Sequence, residues 1–205
     1  MTIASERISM KAAACFILMA CVCTAQTAAP PVAGKLQLKT PGSALYATIG
    51  DAQVEVARHA VKAWLIDGGQ RVIYSGKDGA GGYENEGQSL RVYEVATHQR
   101  KKILSARFQI DNVEERRSSH EKRALLVRMT DGGQGASHIA VVDPERGEVF
   151  SADSARFLKG GDGRILIGYF GDDDWDKLRE GVKVAPQKTE ELNLDMLLER
   201  PVINH

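Results

Sequence analysis

The densest group of side chains that could bind a ligand is the acidic segment that contains Asp172, Asp174 and Asp176. Their alternate spacing would let one loop wrap carboxylate oxygens around a hard cation such as Ca²⁺. The EF-hand pattern is not completed, because lysines stand at the sixth and twelfth positions. The sequence therefore predicts a weak calcium site with these three ligands or, alternatively, a solvated acidic turn balanced by neighbouring basic residues.

A second group is the glycine-rich segment that carries Tyr83, Glu84 and Glu86. An aromatic ring and two carboxylates in an exposed hairpin connection could line a binding surface, and Trp175 in the acidic segment offers a second ring. Glycosidases hold two carboxyl groups at a fixed separation of about 5–10 Å. The positions of Glu84 and Glu86 in one loop do not determine such a separation. We therefore predict ligand binding through these four residues and assign no catalytic residue.

The remaining polar residues show no pairing of a nucleophile with a base. The five histidines lack the spacing of a shared metal site, and the sequence contains no Gly-x-Ser-x-Gly motif. We expect His98 and His120 in exposed turns, and His138 as a core or rim residue at the start of a strand. The mixed-charge stretch from Glu114 to Arg123 predicts a solvated hairpin or loop. Enzymatic activity is left open, and a non-enzymatic role is favoured.

The elements that must position these side chains are short strands separated by turns with Gly and Asp, which is typical of an all-β domain. Several are apolar on both faces and must be covered on both sides. One short helix is predicted from Asn193 to Arg200, before Pro201. Strands are predicted over Ala44–Ile49, Gln53–Ala57, Ala63–Ile66, Val72–Ser75, Leu90–Val95, Ala124–Met129, Ile139–Val142 and Ile165–Phe170.

A weak internal repeat relates these strands to one another. Arg71, Arg123 and Arg164 each begin an apolar strand after a turn-like stretch, at spacings of 52 and 41 residues. Periods of about 40–50 residues with four short strands are typical of propeller blades. The repeat predicts an antiparallel meander of blade-like units, and a β-sandwich is the alternative.

Two kinds of segment carry a resemblance to a known family. Asp67–Ser75 and Asp162–Ile167 resemble the Asp-Gly turn that leads into a blade strand of TolB-like and other WD-type β-propellers. Leu90–Thr97 is similar to an outer hairpin of such a blade. The resemblance extends roughly over residues 60–188. It implies a partial or small β-propeller, a fold that mostly binds proteins or small ligands and implies no reaction.

The N-terminal residues 1–25 are predicted to be a removable signal peptide. Lys11 precedes an apolar run too short to span a bilayer, and the small residues Cys23 and Ala25 suit a cleavage site. The residues around Cys21 resemble a bacterial lipobox, so lipidation of Cys21 is the alternative. Residues 26–43 are predicted to be a spacer and residues 44–205 one β-rich domain. All three cysteines lie in the signal peptide, so the mature domain contains no disulfide.

The charge balance excludes a function in nucleic-acid binding. The chain has 27 basic and 27 acidic side chains, and removal of the signal peptide takes away Arg7, Lys11 and Glu6. A nearly neutral mature chain offers no positive field for nucleic acid or an anionic membrane. We predict an exported, periplasmic or secreted, non-enzymatic domain that binds a protein or small ligand through its loops. The alternatives are an exported hydrolase using loop carboxylates and a structural envelope lipoprotein.

Overall fold

The computed structural model describes residues 30–77, 88–131, 136–161 and 163–203. Within these ranges the strands run up and down in chain order and form four antiparallel sheets, numbered 1 to 4. Sheet 1 contains β1 (Ala33–Leu38), β2 (Ser43–Ile49) and β3 (Ala52–Ala60). Sheet 2 contains β4 (Lys62–Ile66), β5 (Arg71–Lys77), β6 (Gln88–Glu94) and β7 (Arg100–Ala106). Sheet 3 contains β8 (Gln109–Arg117), β9 (Arg123–Thr130), β10 (Ser137–Asp143) and β11 (Gly147–Ala152). Sheet 4 contains β12 (Ala155–Leu158), β13 (Arg164–Tyr169) and β14 (Lys188–Asn193). Helix α1 (Asp172–Arg179) connects β13 to β14, and helix α2 (Leu194–Leu198) follows β14.

Each sheet packs face to face on the next one, and a hydrophobic cluster fills each of the three interfaces. Neighbouring residues of one strand serve different interfaces. Val72 belongs to the cluster between sheets 1 and 2, and Ile73 belongs to the cluster between sheets 2 and 3. In the same way, Leu125 of sheet 3 packs against sheet 2, and Leu126 of sheet 3 packs against sheet 4. Because side chains alternate along a strand, a sheet in the middle of a stack must be apolar on both faces.

The two outermost faces of the stack differ in how they meet solvent. On sheet 1 the outer face is polar, and the Gln53 amide donates a 2.7 Å hydrogen bond to Gln37. On sheet 4 the outer face is covered by α1 and by the segment after it. Trp175 of α1 is buried there, and a Cβ added to Gly168 would lie 3.0 Å from Leu158 and from Pro186. Such faces allow a stack of repeats to end without exposing its core.

The predicted fold class is confirmed: the domain is an antiparallel meander of blade-like sheets with a short C-terminal helix. The eight predicted strands coincide, within a few residues at their ends, with β2 to β6, β9, β10 and β13. Two sequence predictions need correction. The predicted spacer over residues 26–43 contains strand β1. Leu36 and Leu38 of β1 pack against the hydrophobic cluster between sheets 1 and 2. The predicted acidic turn is helix α1, because burial of Trp175 against sheet 4 holds that segment in a helical conformation.

Candidate binding surface

Because the strands run up and down, the loops that connect them lie at two opposite edges of the sheets, which we call the α1 end and the α2 end. The α1 end is where β5, β7, β9 and β13 finish, and the α2 end is the opposite one. Residues 78–87, between β5 and β6, lie outside the described residues. The predicted binding residues Tyr83, Glu84 and Glu86 and the lipidation candidate Cys21 lie outside the described residues, so those predictions stay predictions.

The structure does not bring the three predicted calcium ligands to one point. Residues two positions apart on a helix are about 200° apart around its axis. Asp174 accepts a 3.0 Å hydrogen bond from the Gly171 backbone N–H, and Asp176 pairs with Arg179. Acidic residues in the first turn and basic residues in the last turn complement the helix dipole. This charge pattern stabilises α1, and calcium binding stays a prediction.

Trp175 was predicted to be a binding residue, and the structure places it in a packed position. It is 3% exposed, with its ring centroid 5.4 Å from that of Phe170. The Arg156 guanidinium carbon lies 5.0 Å from the centre of the indole. The indole Nε1 is buried and has no hydrogen-bond partner among the described residues. The residue can therefore act as the inner wall of a site and not as an exposed platform.

His138 is a rim histidine, as its position at the start of an apolar strand predicted. Its Nδ1 lies 2.7 Å from a carboxylate oxygen of Asp153, and its ring stacks on Phe108 at a centroid distance of 3.8 Å. The other ring nitrogen, Nε2, is buried without a partner in the part of the chain that is described. A general base must reach the proton that it removes. Phe108 and the surrounding strands close this nitrogen off from solvent.

Further polar side chains at the α1 end join sheet 2 to sheet 3. The Gln88 side-chain oxygen accepts a 3.1 Å hydrogen bond from the Ile110 backbone N–H. The Lys62 ammonium donates to the backbone carbonyl of Asp111 at 3.2 Å, and within sheet 3 the Thr130 hydroxyl donates to the carboxylate of Asp111. These contacts satisfy the polar groups and fix the sheets to one another.

Two arginines at the α1 end differ from these groups in having no carboxylate partner among the described residues. Arg128 of β9 is exposed, and Arg156 of β12 is half-buried. Neither forms a salt bridge with any carboxylate of the described residues. Burial lowers the pKa of Arg156, and the nearby positive charge of Arg128 lowers that pKa further. Arg156 lies on the outer face of sheet 4 over the Trp175 ring, whereas Arg128 lies on the face of sheet 3 that is directed toward sheet 4.

The α2 end has a cleft of about 290 Å³ whose charges are paired. Arg71 contacts Glu94 at 2.7 Å and also contacts Glu145. Burial lowers the pKa of Arg71, but the hydrogen bond to Glu145 and the charge of Glu94 outweigh it, and the pKa is raised. Arg123 binds Asp67 and lies 3.5 Å from Glu115. These ion pairs connect sheets 2 and 3.

The pairing of Arg123 partly corrects the prediction for Glu114–Arg123. The stretch forms the hairpin between β8 and β9, as predicted. Its ends are not simply solvated, because the side chains of Glu115 and Arg123 are only 24% and 29% exposed. The partner Asp67 lies in a distant turn, so local sequence gave no signal of the network.

One serine, histidine and aspartate group was missed by the sequence analysis. The Ser119 hydroxyl donates to Asp195, and the Nδ1 of His120 lies 3.1 Å from the same carboxylate. Hydrogen bonds from Ser118 and Ser119 and the charge of His120 lower the pKa of Asp195. The carboxylate rather than the imidazole holds the serine, so the group does not activate a nucleophile. It attaches α2 to the β8–β9 turn.

No protein-family model matches this chain, and no curated protein sequence matches it. Among solved structures, the chain is similar to the β-propeller domain of the Trilobed protease from Pyrococcus furiosus, which is described as having an open velcro topology. The two are 12% identical, with a TM-score of 0.45 over 79% of this chain, and the chain spans 57% of the length of that domain.

Neither α1 nor α2, nor any other helix in the described ranges, is long and apolar enough to cross a bilayer.

Proposed function

We propose that this chain is an exported, non-enzymatic β-domain that binds a protein partner at the α1 end of its sheet stack. The contrast between the two ends is the observation that carries the proposal. Arg128 and Arg156 at the α1 end have no carboxylate partner among the described residues, whereas Arg71 and Arg123 in the α2-end cleft are paired. A partner can use the first pair directly, but it would have to break ion pairs to use the second. The resemblance to TolB-like and WD-type blades supports the same class of function.

Site-specific photocrosslinking in the bacterium tests where the partner binds. A photoreactive amino acid replaces Gln109 or Asp173, which are exposed at the α1 end. The matched positions are Asp51 and Thr97, which are exposed at the α2 end. We expect crosslinked protein adducts from the first two positions only. Adducts confined to the α2 end, or none from any position, would contradict the proposal and favour the small-ligand alternative.

Export is the second part of the proposal, and intact mass measures it. We expect a mature protein that begins near Gln26 or at a lipidated Cys21. Replacement of Cys21 by alanine separates these forms, because membrane association is lost only if Cys21 carries the lipid. A protein that retains Met1 or Met10 after expression in the bacterium would exclude both forms of processing.

A further inference from the structure

The short segment after α2, residues 199–203, leaves sheet 4 and reaches the edge of sheet 3 that β11 forms. We call this segment the strap. The Ile203 backbone N–H donates a 2.8 Å hydrogen bond to the Glu148 carbonyl of β11. Val202 lies against Gly147, where an added Cβ would come within 3.2 Å of a Val202 methyl carbon. The strap therefore occupies part of an edge along which a further strand could pair.

One arginine fixes the strap to the rest of the domain. The Arg146 guanidinium donates to the Leu198 carbonyl at the end of α2 at 2.7 Å and to the Arg200 carbonyl at 2.9 Å. The last carbonyls of a helix have no partner within the helix, and a basic side chain can satisfy them. Strap, β7 and β11 enclose a cleft of about 210 Å³, lined by Lys102–Ser105, Arg146–Glu148, Val202 and Ile203. Detachment of the strap would open this cleft along the β11 edge.

The strap is held less firmly than the helix before it. Leu194, Leu197 and Leu198 of α2 are buried in the cluster between sheets 3 and 4. In the strap only Val202 is half-buried, and the other residues are exposed. Segments with few buried apolar contacts open at a small fraction of the free energy of global unfolding. The strap can therefore detach while α2 stays in place.

The edge strands of the other sheets show how this protein prevents unwanted strand pairing. On β3, the Arg100 guanidinium occupies the backbone carbonyls of Glu55 and Val56. β7 begins with three consecutive basic residues, and β14 carries two adjacent glutamates. Charges of this kind protect edge strands from pairing with other chains. β11 contains no lysine, arginine or proline, and its one charged side chain, Glu148, is buried. The strap takes the place of such charges on this edge.

We propose that the strap covers the β11 edge, and that its release lets this edge pair with β11 of a second copy of the chain. Two copies of one strand pair antiparallel across a two-fold axis, so the same edge serves in both copies. Val149 and Phe150 favour strand pairing, and β11 carries no exposed charge that would face its own copy. The pair would join two four-stranded sheets into one continuous sheet. This inference goes beyond the proposed function, because it concerns a strand edge and not the loops of the α1 end.

Replacement of Ile203 by proline tests the strap, because proline has no backbone N–H to donate to Glu148. Ile203→Ala is the matched control, since it keeps the N–H and shortens a side chain that is already exposed. In sedimentation velocity we expect Ile203→Pro to form a dimer with a dissociation constant at least about tenfold below that of the wild type. Ile203→Ala should behave like the wild type. Equal association of the two variants would overturn the proposal.

A second substitution shows whether β11 forms the contact. Ser151 is exposed on β11, and Ser151→Lys in the Ile203→Pro background places a charge on the uncovered edge. We expect this change to restore the monomer, because two copies of the edge would then bring like charges together. Ser151→Thr in the same background keeps the edge neutral and should leave the dimer intact. A dimer that persists with Ser151→Lys would mean that another surface forms it and would overturn the proposal.

Arg146→Ala releases the strap without changing its backbone and separates release from unfolding. We expect hydrogen exchange of the Ile203 amide to become at least about tenfold faster, with protection in β9 and β13 retained and dimerisation favoured. Arg116→Ala removes the same charge from an exposed pair with Glu114 and should do none of this. Loss of protection in β9 and β13 would show that the strap does not open independently and would contradict the inference. Fast exchange at Ile203 in a variant that stays monomeric would show that the uncovered edge does not pair.

Discussion

At the scale of single residues, Asp67 combines two features that cost free energy. It is 8% exposed and has a left-handed backbone with φ of 54°, although it is not a glycine. Arg123 compensates by binding its carboxylate. Arg123→Ala would leave a buried charge without a partner, so we expect a loss of about 2–4 kcal/mol in the free energy of unfolding, measured in urea.

Two further variants control this prediction. Arg164→Ala breaks the exposed pair with Glu191 and should cost less than about 1 kcal/mol. Asp67→Asn in the Arg123→Ala background removes the unpaired charge and should recover part of the lost stability. Equal losses for Arg123→Ala and Arg164→Ala would show that the Asp67 pair is no more than a surface contact.

Asp195 links stability to pH through its hydrogen bonds. Because its pKa is lower in the folded than in the unfolded chain, its contribution is present above the unfolded pKa of about 3.9 and is lost as the pH falls toward the folded value. Asp195→Asn should therefore destabilise the protein most above about pH 5, and the difference from wild type should shrink below about pH 4. Urea unfolding at several pH values measures this. Asp51→Asn, in an exposed turn, is the control, and a pH-independent loss in Asp195→Asn would contradict the linkage.

At the scale of elements, the turn between β4 and β5 fixes sheet 1 against sheet 2. Gly68 and Gly69 both have positive φ, but only a Cβ on Gly69 would overlap the Ala33 carbonyl oxygen of β1. We expect Gly68→Ala to cost about 1–2 kcal/mol from backbone strain alone. Gly69→Ala should cost clearly more and should increase proteolysis near β1. Equal losses in the two variants would mean that β1 moves away without cost.

The elements also show what the sequence could predict. Central strands such as β9 and β13 were predicted because burial on both faces produces apolar runs. β1 and β14 were not, since each has one solvated face and carries polar residues such as Lys35 or Glu191 on it. Helix α1 was missed because its one buried side chain, Trp175, gives no periodic pattern. The Asp67–Arg123 pair and the group around Asp195 join residues distant in sequence, and no local pattern reports such contacts.

At the scale of the whole molecule, the domain is a stack of four sheets in which each hydrophobic cluster joins two adjacent sheets. In such a quasi-one-dimensional arrangement, stability is roughly a sum of sheets and nearest-neighbour interfaces. Loss of the interface to an outermost sheet, sheet 1 or sheet 4, can then release that sheet without unfolding the rest. A sheet in the middle of the stack cannot unfold locally in this way, because it forms interfaces with the sheets on both of its sides.

Two isoleucines, both 0% exposed, allow this to be tested with the same chemical change. Ile167 packs between sheets 3 and 4, and Ile73 packs between sheets 2 and 3. Each substitution by alanine should cost about 2–5 kcal/mol. In native-state hydrogen exchange we expect Ile167→Ala to lose protection mainly in β12 to β14 and α2, whereas Ile73→Ala should lose it in all four sheets. If Ile167→Ala lowered protection equally in β1 to β3, the stack would unfold as one unit, because stability in sheet 1 would then depend on an interface two sheets away.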